Sequence, residues 1–393
     1  MKVAGVLIAS TAVFVAVMVA SLSGQGRNGD TRRDGQHLFE RETFGGNGRT
    51  CLTCHSRATG TVSPQDAQKR FQANPQDPLF LHDGSDDGHG HGVTRILADA
   101  TILMTIPLPP NVRLANSSDR FVVLRRGIPT TLNTPALDPV LMLDGRQRTL
   151  EQQADGAIHD HAQAVTFPTL NDLELIKRFQ LTAAFFSSPA LTNAAVGGPR
   201  PGLPRGNTAS EQRGRRFFED VPPDPSDGFK PGLCSHCHSG ILMNQTNEFA
   251  PFFFGLPVRT GTRFQNVLVS SFNVAGNPVR HFIFNESTAN ERHVFSPDPG
   301  RALITGLVDG DLAAGDTTFE NTDAFKIPQL RGIRHTAPYF HDNSAKTLED
   351  VAAHYTRFFA FVTDFDGPGP LPPLITLTPE DEADMVAFMK LLD

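Results

Sequence analysis

Every cysteine of this 393-residue chain, four in all, belongs to a Cys-x-x-Cys pair followed at once by histidine. The two runs are Cys51-Leu52-Thr53-Cys54-His55 and Cys234-Ser235-His236-Cys237-His238. Four cysteines in an exported chain would ordinarily suggest two disulfides. A bare Cys-x-x-Cys could also be a dithiol redox pair or half of a zinc site. None of these needs a histidine in the next position, twice. With 14 histidines among 393 residues, that double coincidence comes to roughly one in a thousand by chance. Attachment of a c-type haem requires it. Two thiols add to two vinyl groups on one edge of a porphyrin, which one turn of backbone permits, and the adjacent imidazole then faces the iron. The sequence therefore implies two haems c, one on Cys51 and Cys54 and one on Cys234 and Cys237. His55 and His238 are their proximal iron ligands, and His236 is a spacer.

Two haems constrain the architecture. Large prosthetic groups supply core, so long loops become tolerable between helices. The expected fold class is mainly α, with two cytochrome c-like haem domains and long loops. The boundary between them reads from Gly197-Gly198-Pro199-Arg200-Pro201-Gly202-Leu203-Pro204-Arg205-Gly206, through which neither helix nor strand survives. This gives an N-terminal haem domain over 25–195, a linker over 196–206 and a C-terminal haem domain over 207–393. Thr208 and Glu211 form a capping-box pattern that opens a helix reaching about Phe218. Further helices are expected over Asn171 to Phe186 and over Thr347 to Phe359. A last one opens at Thr378-Pro379 with acids in its first turn. Little strand is expected, and Ile106 to Pro110 and Gly367 to Pro373 read as extended loops.

Residues 1–24 combine Lys2, an apolar run from Val3 to about Ala20 and small residues at the exit, the pattern of a secretory signal. An uncleaved N-terminal anchor is the alternative. Either puts the rest of the chain outside the cytoplasm, in the periplasm. A net charge of -7 gives no basic stripe for a nucleic acid. Aromatic usage is lopsided, with 30 Phe, 2 Tyr and no Trp, so the two tyrosines are expected where a hydroxyl matters.

The stretch Phe325-Lys326-Ile327-Pro328-Gln329-Leu330-Arg331-Gly332-Ile333-Arg334-His335-Thr336-Ala337-Pro338-Tyr339-Phe340-His341-Asp342, continued by Thr347-Leu348-Glu349-Asp350-Val351, resembles the signature of bacterial di-haem cytochrome c peroxidases and MauG-type enzymes. In the first half, Ile128-Pro129-Thr130-Thr131-Leu132-Asn133, Asp144-Gly145-Arg146 and Leu150-Glu151-Gln152-Gln153 resemble the same family's active-site region. The resemblance implies that hydrogen peroxide reacts at the N-terminal haem while the C-terminal haem passes or stores electrons. A small electron-donor protein such as a c-type cytochrome is the implied partner, and a homodimer stays open. Gln153 and Gln163 are the implied catalytic positions. The chain departs from the family at Leu143, where the peroxidases carry Trp, and at Gln163, where they carry a proton-shuttling Glu. An inter-domain calcium is implied at the backbone carbonyls of Thr336 and Pro338, with Gly127 in place of the family's Asn.

The sixth iron positions are less determined. At the second haem the peroxidases' Met corresponds to Tyr355, as in MauG-type enzymes, and Leu348, Val351, Tyr355 and Phe358 share one helical face. At the first haem, His82, His89 and His91 are the loop candidates, with His159 and His161 as candidates to line the distal pocket. The Tyr355 match makes oxidation of a protein or organic substrate by high-valent iron the first alternative. A non-enzymatic di-haem electron carrier is the second.

Overall fold

The computed structural model describes residues 28–250, 259–274, 276–287, 290–310, 320–363 and 375–393. The signal or anchor segment and the loop read over 367–373 lie outside the described residues. Helix makes up 36% of the structure and strand 13%.

Local signals in the sequence set the helices. Thr208 caps Ala209–Arg216 through a reciprocal bond pair with Glu211, and Thr378 caps Pro379–Met389 through the same exchange with Asp381. Thr347 accepts the backbone N–H of Asp350 and opens Leu348–Thr363. The helix expected from Asn171 runs Leu170–Gln180 and gives way to a short 3₁₀ turn, Ala183–Phe185.

Two helical cores result. In the first half, Phe39, Phe179 and Phe185 meet edge to face with centroids 5.2–5.5 Å apart, over Ile158, Leu173 and Ile176. In the second half, Phe217, Phe218, Leu348, Phe359, Met385 and Phe388 pack the last two helices onto Ala209–Arg216. Small residues permit the closest crossing: a Cβ at Gly214 would lie 1.9 Å from the Asp384 carbonyl oxygen.

Strand is more prominent than the sequence suggests. β1 (Thr101–Pro107), β2 (Val112–Leu114) and β3 (Phe121–Gly127) precede Leu150–Asp160; β4 (Phe264–Gln265), β5 (Arg280–Ser287), β6 (Asn290–Ser296) and β7 (Phe325–Lys326) follow the linker. β1 pairs with β3, and β2 with β5, which pairs with β6. Ile106 and Pro107, read as loop, close β1. The run Thr101-Ile102-Leu103-Met104 lacks polar alternation because both faces are largely covered, and such a run does not reveal its period.

The β2–β5 pairing, Val112 opposite Phe284 and Leu114 opposite Phe282, ties residues on the two sides of the linker into one sheet. Phe282 and Phe284 are fully buried against Ile106, Val112 and Leu124. The linker carries no helix or strand, and Arg331 holds it by donating to the carbonyls of Pro201 (2.7 Å) and Gly202 (3.3 Å).

Candidate haem sites

The first cysteine pair occupies one short helix, Cys51–Cys54, where the Thr50 N–H donates to the Thr53 hydroxyl at 2.9 Å. That turn puts both thiols on the wall of one cavity, with His55 beside them. The His55 N–H bonds to the Cys51 carbonyl at 2.9 Å, which ends the turn. Its Nδ1 donates to the Gly60 carbonyl at 2.8 Å, so the hydrogen lies on Nδ1 and the Nε2 lone pair is free. Burial lowers the imidazole's pKa, the Gly60 bond opposing, which favours the neutral form a metal ligand needs. Gly60 itself has φ +66°, and a Cβ there would stand 2.7 Å from Leu132 N. The left-handed backbone that delivers its carbonyl to the imidazole therefore needs glycine.

The cavity holds about 1310 Å³ of empty space, its open mouth included. Ile102, Met104, Ile128, Leu141, Leu143 and Ile158 make most of its wall apolar, and Gln153, Arg49 and His161 add polar groups. The apolar wall beside the two thiols and His55 fits a porphyrin. None of the four cysteines is in a disulfide. Burial, reinforced by the neighbouring Cys54, pushes the Cys51 thiol up to about 12, unlike the lowered thiol of a dithiol redox pair.

Around this cavity the frame is ionic. Arg126, at the end of β3 and 1% exposed, donates to Asp298 at 2.7 and 2.8 Å and to Asp144 at 2.5 Å. Burial opposes the Asp144 charge, but Arg126 and Arg146 overcome it and hold that carboxyl below its usual range.

The second cysteine pair lies in a run of turns. His238 repeats the first site's geometry: its N–H bonds the Cys234 carbonyl at 2.9 Å and its Nδ1 donates to the Met243 carbonyl at 2.9 Å. Burial lowers His238 to about 4. His236 is fully buried, its Nδ1 2.5 Å from the Gly232 carbonyl. Tyr355 is half-buried on Leu348–Thr363, within aromatic contact of Phe340, Phe358 and Phe359. Burial raises its hydroxyl, and Cys237 and Cys234 raise it further, which places it beside the second thiol pair. His354 points away and bonds the Val267 carbonyl at 2.8 Å.

No family model matches the chain, and no curated protein matches it. Solved structures do. The chain is similar to MauG-like and diheme peroxidase proteins. A MauG-like protein associated with microbial copper homeostasis has 18% identity and a TM-score of 0.48, covering 92% of this chain and 88% of that one. The diheme peroxidase BthA from Burkholderia thailandensis has 16% identity and a TM-score of 0.47, covering 92% and 86%. Hydrazine synthase of Kuenenia stuttgartiensis has 15% identity and a TM-score of 0.41, covering 92% and 87%.

The remaining sequence candidates divide sharply. Gln153 and His161 line the first cavity. Gln163 does not: it stands at φ +51° on a turn outside it, its side-chain oxygen accepting from Asn47 at 3.1 Å. His82, His89 and His91 do not line it either. His82 starts a 3₁₀ turn, His89 is exposed, and the exposed His91 holds Asp87 at 2.7 Å. Their loop is closed on itself by Asp86, which caps Thr94–Asp99, and by Asp87, which accepts the His89 and His91 N–H groups. His159 stacks on Phe167 instead. Sequence reading missed Asp83 and Arg49, which meet His161 from distant parts of the chain.

For the calcium, no group of three or more His, Cys, Asp or Glu among the described residues could hold a metal ion. The Thr336 hydroxyl donates to the Ile333 carbonyl, and Pro338 follows a cis peptide bond. The space beside Gly127 is filled by Asn343: a Cβ at Gly127 would stand 2.1 Å from its Oδ1, and its Nδ2 donates to the Asp99 and Ala100 carbonyls.

Proposed function

We propose that the chain is a periplasmic di-haem c-type oxidoreductase that reduces hydrogen peroxide at the N-terminal haem, with electrons passed through the C-terminal haem. The observation that carries this reading is the asymmetry of two equally built histidine cradles. One opens on a cavity with Gln153 and His161 on its wall; the other faces Tyr355 among aromatic rings. When bound, each haem supplies an iron that can change oxidation state. Cys51, Cys54 and His55 would hold the first, and Cys234, Cys237 and His238 the second, with Tyr355 as a candidate second ligand.

The chain's own residues do the rest. The Gly60 and Met243 carbonyls fix each proximal imidazole in one tautomer and raise its basicity as a ligand. The apolar wall at Ile102, Met104 and Leu143 keeps water from the reacting face, and the Gln153 amide can hydrogen-bond peroxide but cannot carry its proton. A reduced c-type cytochrome is the electron donor we expect. The neighbourhood of Tyr355 and the second thiol pair supports a second reading, oxidation of a protein or organic substrate.

The deciding experiment matures the chain with an intact haem-attachment pathway. Two haems should survive acid–acetone extraction, and peroxide should change the spectrum of the first. Steady turnover of a reduced small cytochrome selects the peroxidase reading. Peroxide reactivity without such turnover selects substrate oxidation, and two irons inert to peroxide select an electron carrier.

A further inference from the structure

The wall of the first cavity holds a histidine that the haem motifs do not account for. His161 ends the helix Leu150–Asp160 and shares the cavity with Cys51, Cys54 and His55. Its Nδ1 is 2.5 Å from Asp83 Oδ2. Asp83 is 4% exposed, and its other oxygen is taken by Arg49, itself 2% exposed. The guanidinium is saturated by backbone: it donates to the carbonyls of Pro78 (2.8 Å), Leu79 (3.0 Å), Leu81 (2.5 Å) and His161 (3.2 Å). Asn47 donates to the same His161 carbonyl at 2.9 Å. Gly84 leaves the room for this arrangement, since a Cβ there would lie 2.7 Å from an Arg49 terminal nitrogen.

The chemistry of the pair follows from what each atom can do. Burial opposes the Asp83 charge, but the His161 bond and then Arg49 outweigh it and hold the carboxyl below its usual range. A carboxylate only accepts, so in the neutral ring the hydrogen of His161 is on Nδ1. Nε2, at the far side of the ring, is left as a lone pair that no described residue takes, on a side chain 22% exposed and lining the cavity. A base is therefore held in one tautomer by a buried Asp–Arg pair, ready to be stabilised by Asp83 when it gains charge.

We infer that His161, positioned by Asp83 and Arg49, takes the proton of an acid ligand entering the first cavity. For hydrogen peroxide, one O–H bond breaks and the Nε2–H bond forms. The products are the hydroperoxide anion and an imidazolium paired with the Asp83 carboxylate. This supplies, from a residue two positions before it, the proton handling that the amide of Gln163 cannot give. The inference rests on the proposed open face of the first haem, but its test does not depend on turnover.

The probe is cyanide, added as hydrogen cyanide to the haem-loaded full chain and followed by the Soret shift in stopped flow. Cyanide must lose the same kind of proton, with no redox step. His161→Gln is expected to slow binding about a hundredfold and to leave the resting spectrum of the first haem unchanged. Asp83→Asn should slow it about tenfold by releasing the tautomer, and Asp83→Glu should restore part of that loss. Should His161→Gln fold poorly, the Asp83 pair of variants decides the question alone. An unchanged cyanide rate in either His161→Gln or Asp83→Asn overturns the inference, and so does a resting spectrum altered by His161→Gln, which would make His161 an iron ligand. Wild-type protein without covalent haem would overturn the proposed function, and this inference with it.

Discussion

The two thiol pairs are built alike on the histidine side and differently on the other. In each, the histidine N–H returns to the first cysteine's carbonyl at 2.9 Å, and Nδ1 donates to the carbonyl five residues on, Gly60 or Met243. The surroundings then diverge. The first pair faces a cavity edged by Gln153, Arg49 and His161 inside an ionic frame; the second faces Tyr355 within an aromatic cluster. The repeated half is local and could be copied with the motif. The divergent half is assembled from sequence-distant residues, and on the proposed reading that is where two equal cofactors would acquire unequal work.

The largest expected effect tests whether the two cradles are independent. Cys54→Ala should remove the first covalent haem and keep the second, and Cys237→Ala should do the reverse. Intact-protein mass, one haem lighter in each variant, checks it. Loss of both haems from either variant would mean that the cradles mature as one unit.

The ionic frame of Arg126, Asp144 and Asp298 borders the first cavity. Arg126→Met leaves Asp144 and Asp298 buried without their shared cation, a change worth about 3–5 kcal/mol of destabilisation. Thermal unfolding against pH gives the sign. In the wild type the depressed Asp144 stabilises above the ordinary carboxylate range and is lost as pH falls below it. In the variant Asp144 keeps only Arg146, so its depression should weaken and less stability should be lost as pH falls. A variant with the wild-type pH slope would show that the frame is not what holds Asp144 charged.

How far the sequence could reach follows from these same residues. The thiols, both proximal histidines and the helix caps at Thr208, Thr347 and Thr378 are signalled within a few positions, so they are legible. The Arg49–Asp83–His161 contact spans 78 residues between Asp83 and His161 and has no local spacing rule. Counting forward from Gln153 points to Gln163, but the chain turns at Gln163 with φ +51° and carries that side chain out to Asn47. The β2–β5 pairing was hidden for the same reason, since its strands lie on opposite sides of the linker.

That divergence gives a smaller, sharper test at the first cavity. Gln153→Ala should slow the peroxide reaction of the first haem by roughly threefold to tenfold, the weight of one hydrogen bond of about 0.5–1.5 kcal/mol. Gln163→Glu offers a carboxylate on the exposed turn, and its peroxide rate should stay within about twofold of wild type, far below the hundredfold of general acid–base help. A large gain from Gln163→Glu would mean that this turn folds over the cavity when haem is bound.

At the second site the expected effect on the fold is smallest. Tyr355→Phe removes one oxygen and keeps the ring against Phe358 and Phe359, so unfolding free energy should change by less than about 1.5 kcal/mol. The spectrum should nevertheless change at the second haem and not at the first, because an anionic oxygen donor stabilises ferric iron where a thioether would not. Its loss should therefore raise the second haem's potential, readable by redox titration. The pairing of these two readouts discriminates: a packing tyrosine would move stability and leave the potential alone. If potential and spectrum both stay at their wild-type values, Tyr355 is a core residue of the second site and no iron ligand.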